Sequence, residues 1–272
     1  MKYRVGVIGN GFVGEAQVFA FSPVADIRIY DIDPLKATHT LSEVCECDFV
    51  FVCVPTPMMS NGDQDRSYIN AVFQQVNPGP VYILKSTVLP GTTQSIQQQY
   101  DSLDIVFCPE FLTERTAKLD MLTQSRIVIG GSEVLRERVQ KLFEIRFGHR
   151  NYILTDIITA ELVKYMNNTF FATKVSIMNE FKRLADALGA SWPEALGGFL
   201  ADERVANSHV HVPGPDGKLG YGGTCFPKDV NAIIALGERL GTPMHSIAGG
   251  WQTNLEVRPE QDWLSLKGRA IS

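Results

Sequence analysis

Cys225, Lys164, Asn168 and Asp229 are the residues whose types and spacing could carry covalent chemistry. Cys225 lies just ahead of Pro227 in the segment Gly220-Tyr221-Gly222-Gly223-Thr224-Cys225-Phe226-Pro227-Lys228-Asp229. Proline suits the first turn of a helix, which sets the thiol at a helix N-terminus, where the macrodipole favours the nucleophilic thiolate. Asp229 falls in that first turn, and the glycines before Cys225 would let a ligand come close to the backbone. On another helix Glu161, Lys164 and Asn168 stand at i, i+3 and i+7 and share one face. An ammonium and an amide one turn apart can serve a single substrate oxygen. The plainer readings are a buried cysteine with an Asp cap and a solvated charged face.

A second constellation would bind rather than react. Gly9-Asn10-Gly11-Phe12-Val13-Gly14 follows the apolar run Tyr3–Ile8 and opens a helix, and a second run ends at Asp31, close to the spacing of a dinucleotide fingerprint. Gly9 permits the tight turn, Gly11 lets the backbone approach a pyrophosphate, and Gly14 lets helix and strand pack closely. Asp31 would accept hydrogen bonds from ribose hydroxyls. No Arg or Lys follows until Lys36, so a 2′-phosphate would meet negative charge and NAD is expected over NADP. Pro55-Thr56-Pro57, Ser86-Thr87 and Pro109-Glu110-Phe111-Leu112-Thr113-Glu114 end further strands, where a doubly wound sheet places its ligands.

The elements that must position these residues fall into two sets. Strands are predicted over residues 3–8, 26–30, 48–54, 81–85, 104–108, 126–129 and 152–154, separated by helix-sized segments or loops. Near-continuous apolar strands of this kind predict a Rossmann-type, doubly wound parallel sheet covered on both faces. From Asp156 the pattern turns helical. Ile157 to Leu188 runs without Gly or Pro, about 48 Å of helix, and Gly189 supplies its stop. A further helix follows Pro227 and stops near Gly241. The expected organisation is an α/β domain over residues 1–155 and an all-helical domain over 156–272. The long helix, with Val175, Ile177 and Phe181, exceeds what one small domain covers, so a homodimer is expected across it.

Composition narrows the function classes. With 25 Lys plus Arg against 30 Asp plus Glu, the net charge of −5 gives no basic stripe for nucleic acid. No apolar stretch approaches a membrane span and no signal-peptide core forms, so a cytoplasmic protein is expected. Five scattered cysteines argue against a disulfide framework, and no metal site is expected from their spacing.

Seven ordered motifs carry a family resemblance: GNGFVG from Gly9, VPTP from Val54, KSTVLPGTT from Lys85, PEFLTE from Pro109, ELVKYMNN from Glu161, SIMNEF from Ser176 and GYGGTCFPKD from Gly220. The chain resembles the UDP-glucose/GDP-mannose dehydrogenase family, whose members oxidise the C6 alcohol of a nucleotide sugar to a carboxylate with two NAD. The resemblance implies that Cys225 is the nucleophile, Lys164 and Asn168 its oxyanion partners, and Asp229 the carboxylate beside the thiol. It implies that Thr87 and Glu114 position water, and that Glu110, Phe111, Leu112, Tyr221, Gly222 and Gly223 join Lys164 and Asn168 around the substrate. Arg204 would reach a substrate in the neighbouring subunit, and the product would serve polysaccharide biosynthesis. The chain departs from the family pattern in three places. Only Ile32 to Cys47 separates Asp31 from the next strand, where members carry a long insertion. Thr113-Glu114-Arg115 replaces the usual Arg-Glu-Gly, and the family's C-terminal nucleotide-binding domain is expected to be lacking. The competing readings are a two-electron β-hydroxyacid dehydrogenase, which has no use for Cys225, and a non-catalytic NAD- or sugar-nucleotide-binding protein.

Overall fold

The structure, a computed structural model, describes residues 2–272. The described chain forms two compact units, residues 2–56 with 66–164, and residues 57–65 with 165–272. In the first, the chain runs through β1 (Tyr3–Ile8), α1 (Phe12–Phe21), β2 (Ala25–Tyr30), α2 (Leu41–Val44), β3 (Phe49–Val52), α3 (Ser67–Phe73) and β4 (Val81–Leu84). It continues through α4 (Thr92–Gln99), β5 (Asp104–Phe107), α5 (Ala117–Thr123), β6 (Ile127–Gly130), α6 (Glu133–Phe147), β7 (Tyr152–Thr155) and the start of α7 (Ile157–Leu188). The unit boundary falls inside α7 rather than at residue 155 because Ile157, Ala160 and Val163 pack into the core of the sheet.

All seven strands join one sheet in the order β2-β1-β3-β4-β5-β6-β7. Side chains alternate between two cores: Phe49 and Phe51 of β3 join Val5, Val7, Val81 and Ile83, while Val50 and Val52 join Ile8, Tyr82 and Leu84. Burial on both faces is why these strands read as unbroken apolar runs. Each large side chain so withdrawn contributes about 1.5–3 kcal/mol, enough to fix the register of strands only four residues long.

The sheet departs from the parallel one expected from the sequence at a single pairing: β5 and β6 run antiparallel through Phe107 and Gly130. An apolar run records burial, not direction, so the sequence could not show the reversal. Its effect is that Cys108 to Arg126 begins and ends at one end of the sheet, the end where β5 finishes. The chain runs from β1 outward to β2, which borders the sheet, then returns past β1 to β3. The carboxyl ends of β1 and β3 therefore flank the point where strand order reverses, the ligand position of such sheets.

The second unit adds α8 (Trp192–Leu200), α9 (Phe226–Arg239) and α10 (His245–Val257) to the rest of α7. One small core joins Ala172, Tyr221 and Val230 with Trp251, and another joins Met178, Val210 and Val212 with Trp192. Residues 57–65 belong here because Met58 N–H donates to Ala270 O at 2.8 Å and Arg239 pairs with Asp63 at 2.6 Å. The Asp156 carboxylate caps the start of α7, accepting from Thr159 N–H at 2.9 Å. At its other end Gly189 takes φ +68°, and Ala190 N–H reaches back to Ala185 O, the stop expected from the glycine. Among the described residues no helix is long and apolar enough to cross a membrane.

Candidate functional site

In the first unit the glycine turn after β1 is shaped by contact. Gly9 has φ +89°, and a Cβ on Gly14 would stand 2.0 Å from Gly9 O, so both positions require glycine. Gly11 is different: a Cβ there meets nothing within 4 Å. It is the N-cap of α1, and no side chain caps that helix start. Phe12 and Val13, half-buried, begin the helix. Asp31, just past β2, accepts from Asn10 N–H at 2.6 Å and from Asp33 N–H at 2.8 Å, which joins the ends of β1 and β2. Asn10 Oδ1 is buried without a hydrogen-bond partner. Uncapped amides under open space, an orphaned acceptor and a carboxylate fit the phosphates and ribose hydroxyls of a dinucleotide.

The next two strand ends are stitched together. Thr56 Oγ1 donates to Thr87 O at 2.8 Å and Ser86 Oγ to Val54 O at 2.7 Å, with Thr56, Ser86 and Thr87 buried and Pro55 exposed. Beyond β5, Glu110 is buried and Lys164 Nζ donates both to its carbonyl, 2.6 Å, and to Oε1, 3.1 Å. Leu112 N–H donates to Oε2 at 2.5 Å, and the Phe111 ring lies 5.4 Å from Lys164 Nζ. Glu114, by contrast, is exposed at the start of a short 3-10 turn, Glu114–Thr116.

Glu161 does not join Lys164 and Asn168 in a functional set. Its buried carboxylate accepts from Gly91 N–H at 2.6 Å and Thr93 N–H at 2.8 Å, capping α4 from another element. Helical spacing placed it on the right face but could not name its partner.

In the second unit Cys225 is half-buried at the N-cap of α9, with Pro227 in the first turn. Asp229, 1% exposed, accepts from Asn168 Nδ2 at 2.6 Å and pairs with Lys228 at 2.5 Å. The structure thus joins Asn168 to Asp229, and adds Lys228, which stood in the quoted motif without a role. Arg204 is 90% exposed and holds its own Asp202 through two nitrogens, at 2.9 and 2.5 Å.

The glycines before Cys225 are mostly packed against protein rather than open to a ligand. A Cβ on Gly220 would lie 2.4 Å from Asn254 Oδ1, and one on Gly222 would lie 2.2 Å from Asp262 Oδ1 and 2.7 Å from Arg258 Nε. Only Gly223, with φ +73°, faces open space. Tyr221 is buried against Phe226 and Trp251. Sequence reasoning does not find Asn254, Arg258 and Asp262, because α10 ends at Val257 and Pro259 follows, so no single helix face links the three.

Residues 31–146 match the NAD binding domain, and residues 158–256 the central domain, of the UDP-glucose/GDP-mannose dehydrogenase family. The chain is 32% identical to UDP-glucose 6-dehydrogenase TuaD of Bacillus subtilis, over 99% of this chain and 68% of that protein. It spans about half the length of other curated relatives it matches. A UDP-glucose dehydrogenase from the archaeon Pyrobaculum islandicum superposes with a TM-score of 0.86 at 26% identity, over 99% of this chain and 71% of that one. A 3-hydroxyisobutyrate dehydrogenase from Mycobacterium tuberculosis, 16% identical over 100% of this chain and 97% of its own, shares the fold with a TM-score of 0.75.

Proposed function

Because the chain belongs to the UDP-glucose/GDP-mannose dehydrogenase family, we propose that it oxidises the C6 alcohol of a nucleotide sugar, UDP-glucose or a close relative, to the uronic acid. The observation that carries this reading is Cys225 at the N-terminus of α9, with Asp229 buried one turn on and bonded to Asn168. A two-electron alcohol oxidation has no use for a thiol. An aldehyde, however, can lose a second hydride only after a nucleophile has made its carbon tetrahedral.

Gly9–Gly14 and Asp31, with Pro55, Thr56, Ser86 and Thr87 beside them, would hold NAD, which when bound would accept the hydride of each oxidation. Asp31 favours it over NADP by repelling a 2′-phosphate. The Cys225 thiolate forms a C–S bond to the C6 aldehyde, and the carbonyl electron pair moves onto oxygen. Lys164 and Asn168 stabilise that oxyanion. Lys164 commits two of its three N–H groups to Glu110, which leaves one for substrate. After the second oxidation the carbon is a thioester. Thr87 and Glu114 position a water whose oxygen attacks it, Asp229 assists in proton removal, the C–S bond breaks and Cys225 leaves as thiolate. Glu110, Phe111 and Leu112 of the first unit and Gly223 of the second contribute to holding the sugar, whereas Tyr221 and Gly222, packed against protein, act through the shape of the loop before Cys225. Arg204, exposed on its loop, reaches the substrate of a second copy in a cytoplasmic homodimer, and the uronic acid serves polysaccharide building.

The test is to count NADH formed per nucleotide sugar consumed, with UDP-glucose first in a panel. Two are expected from the native protein. Cys225→Ser should form at most one and release no acid, while its NAD affinity stays within about twofold of native. One NADH from the native protein would indicate a hydroxyacid-type dehydrogenase, and none a binding protein; either result rejects the reading.

A further inference from the structure

The segment leading into Cys225 has no regular structure, so something outside it must fix where the thiol stands. Side chains from α10 and the turn beyond it bond that segment at several points. Asn254, fully buried, accepts from Tyr221 N–H at 2.7 Å and donates to Tyr221 O at 3.0 Å, a two-point clamp on one residue. Arg258, 3% exposed, spreads its guanidinium over three partners: Nη1 donates to Leu219 O at 3.2 Å, Nη2 to Asp216 at 2.7 Å, and Nε to Asp262 Oδ1 at 2.7 Å. The other oxygen of Asp262 accepts from Gly223 N–H at 3.3 Å, two residues before Cys225. Gly222 lies pressed on the same pair, with no room for a Cβ.

We propose that Arg258 and Asp262 are positioning residues for Cys225: Arg258 orients the Asp262 carboxylate, and Asp262 fixes the Gly223 amide and with it the thiol at the start of α9. This rests on the reading of Cys225 as the reacting group. Burial alone would push Asp262 up, but the Arg258 hydrogen bond and charge outweigh it and hold Asp262 below the usual carboxylate range, so it stays an acceptor for both partners. A guanidinium suits this task because its fork serves a carboxylate on each side and a carbonyl at once, which an ammonium cannot do in one plane.

The experiment uses the full chain as Arg258→Met, Asp262→Asn and the double variant. Asp262→Asn keeps the side-chain volume, but Arg258 and Gly223 bond different oxygens of the carboxylate, so in the amide one of these two donors would face the NH2 group instead of an acceptor. It serves as the gentler variant if Arg258→Met folds poorly. Circular dichroism establishes folding, and two readouts follow. The first is the rate of alkylation of Cys225 by iodoacetamide, read by mass on the peptide that contains it. The second is kcat and KM with UDP-glucose and NAD. Each folded variant is expected to change the alkylation rate several-fold and to lower kcat by up to about 100-fold, the cost of a misplacement near 1 Å, with KM little changed. Both residues act along one route, so the double variant should do no more than the larger single one. Folded single variants within twofold of native in both readouts would overturn the proposal, as would fully additive effects. The alkylation readout needs no turnover, so it decides this proposal even if the native protein oxidises no nucleotide sugar.

Discussion

Lys164 and Asn168 are each tethered to a carboxylate within their own unit: Lys164 to Glu110, Asn168 to Asp229. The two tethers differ in what a substitution would cost. Lys164→Ala and Asn168→Ala are both expected to lower kcat about 100- to 1000-fold with KM nearly unchanged, the signature of contacts made to developing charge. Lys164→Ala also leaves the Glu110 carboxylate buried without its cation, so it should cost about 3–5 kcal/mol in urea unfolding. Asn168→Ala leaves Asp229 paired with Lys228 and should cost much less. Steady-state kinetics and urea midpoints check both halves, and a rise in KM alone would assign either residue to ground-state binding. Cys225, Lys164, Asn168 and Asp229 were legible in the sequence through the ordered motifs that carry them, since spacing alone left a buried cysteine and a solvated charged face open. Their tethers were not, since helical spacing names a face and never the neighbour opposite.

Glu161 makes the same point at the level of elements. It lies on α7 but completes α4, whose N-cap is Gly91 and carries no side chain of its own to bond the first amides. Burial pushes its carboxyl above the usual range, and the Thr93 and Gly91 hydrogen bonds only partly offset this. A carboxyl raised in the folded state contributes stability that is full below its unfolded value, about pH 4.3, and lost as pH rises through the folded one. Glu161→Gln can accept only one of the two amide bonds and should destabilise by about 0.5–2 kcal/mol. Because the amide does not titrate, the deficit should be larger at pH 4.5 than at pH 8. Urea midpoints at the two pH values measure it, and a deficit that grows with pH would contradict the sign. Strands were the most legible elements, since a run such as Phe49–Val52 buried on both faces has no polar residue to interrupt it. Strand direction was not legible, as β6 showed. Nor was the purpose of a glycine: Gly222 and Gly223 adjoin, yet one is packed against Asp262 and the other faces open space.

Across the whole molecule, α7 carries an apolar stripe that this chain leaves uncovered. Leu162, Met166, Phe170, Ile177, Phe181 and Leu184 are all more than 40% exposed and recur at three, four and seven residues. Val175, expected beside Ile177 and Phe181, instead packs against the core of Ala172 and Tyr221. A second copy is the occupant that the homodimer reading assigns to this stripe. Light scattering at micromolar concentration should give twice the chain mass, and Phe170→Glu with Phe181→Glu should restore the single mass without unfolding either unit. A monomer in the native protein would remove that part of the reading. The β2 edge of the sheet in the first unit shows how such exposure is avoided. Strand β2 lies at the sheet edge, where bare amides and carbonyls invite foreign strands to add. The chain folds back so that Thr38 N–H and His39 N–H both donate to Ile29 O, while Thr38 Oγ1 accepts from Ile29 N–H. Two residues of a surface loop thus occupy the carboxyl-terminal part of that edge, at Ile29, and guard it against the edge-to-edge polymerisation that an open strand invites.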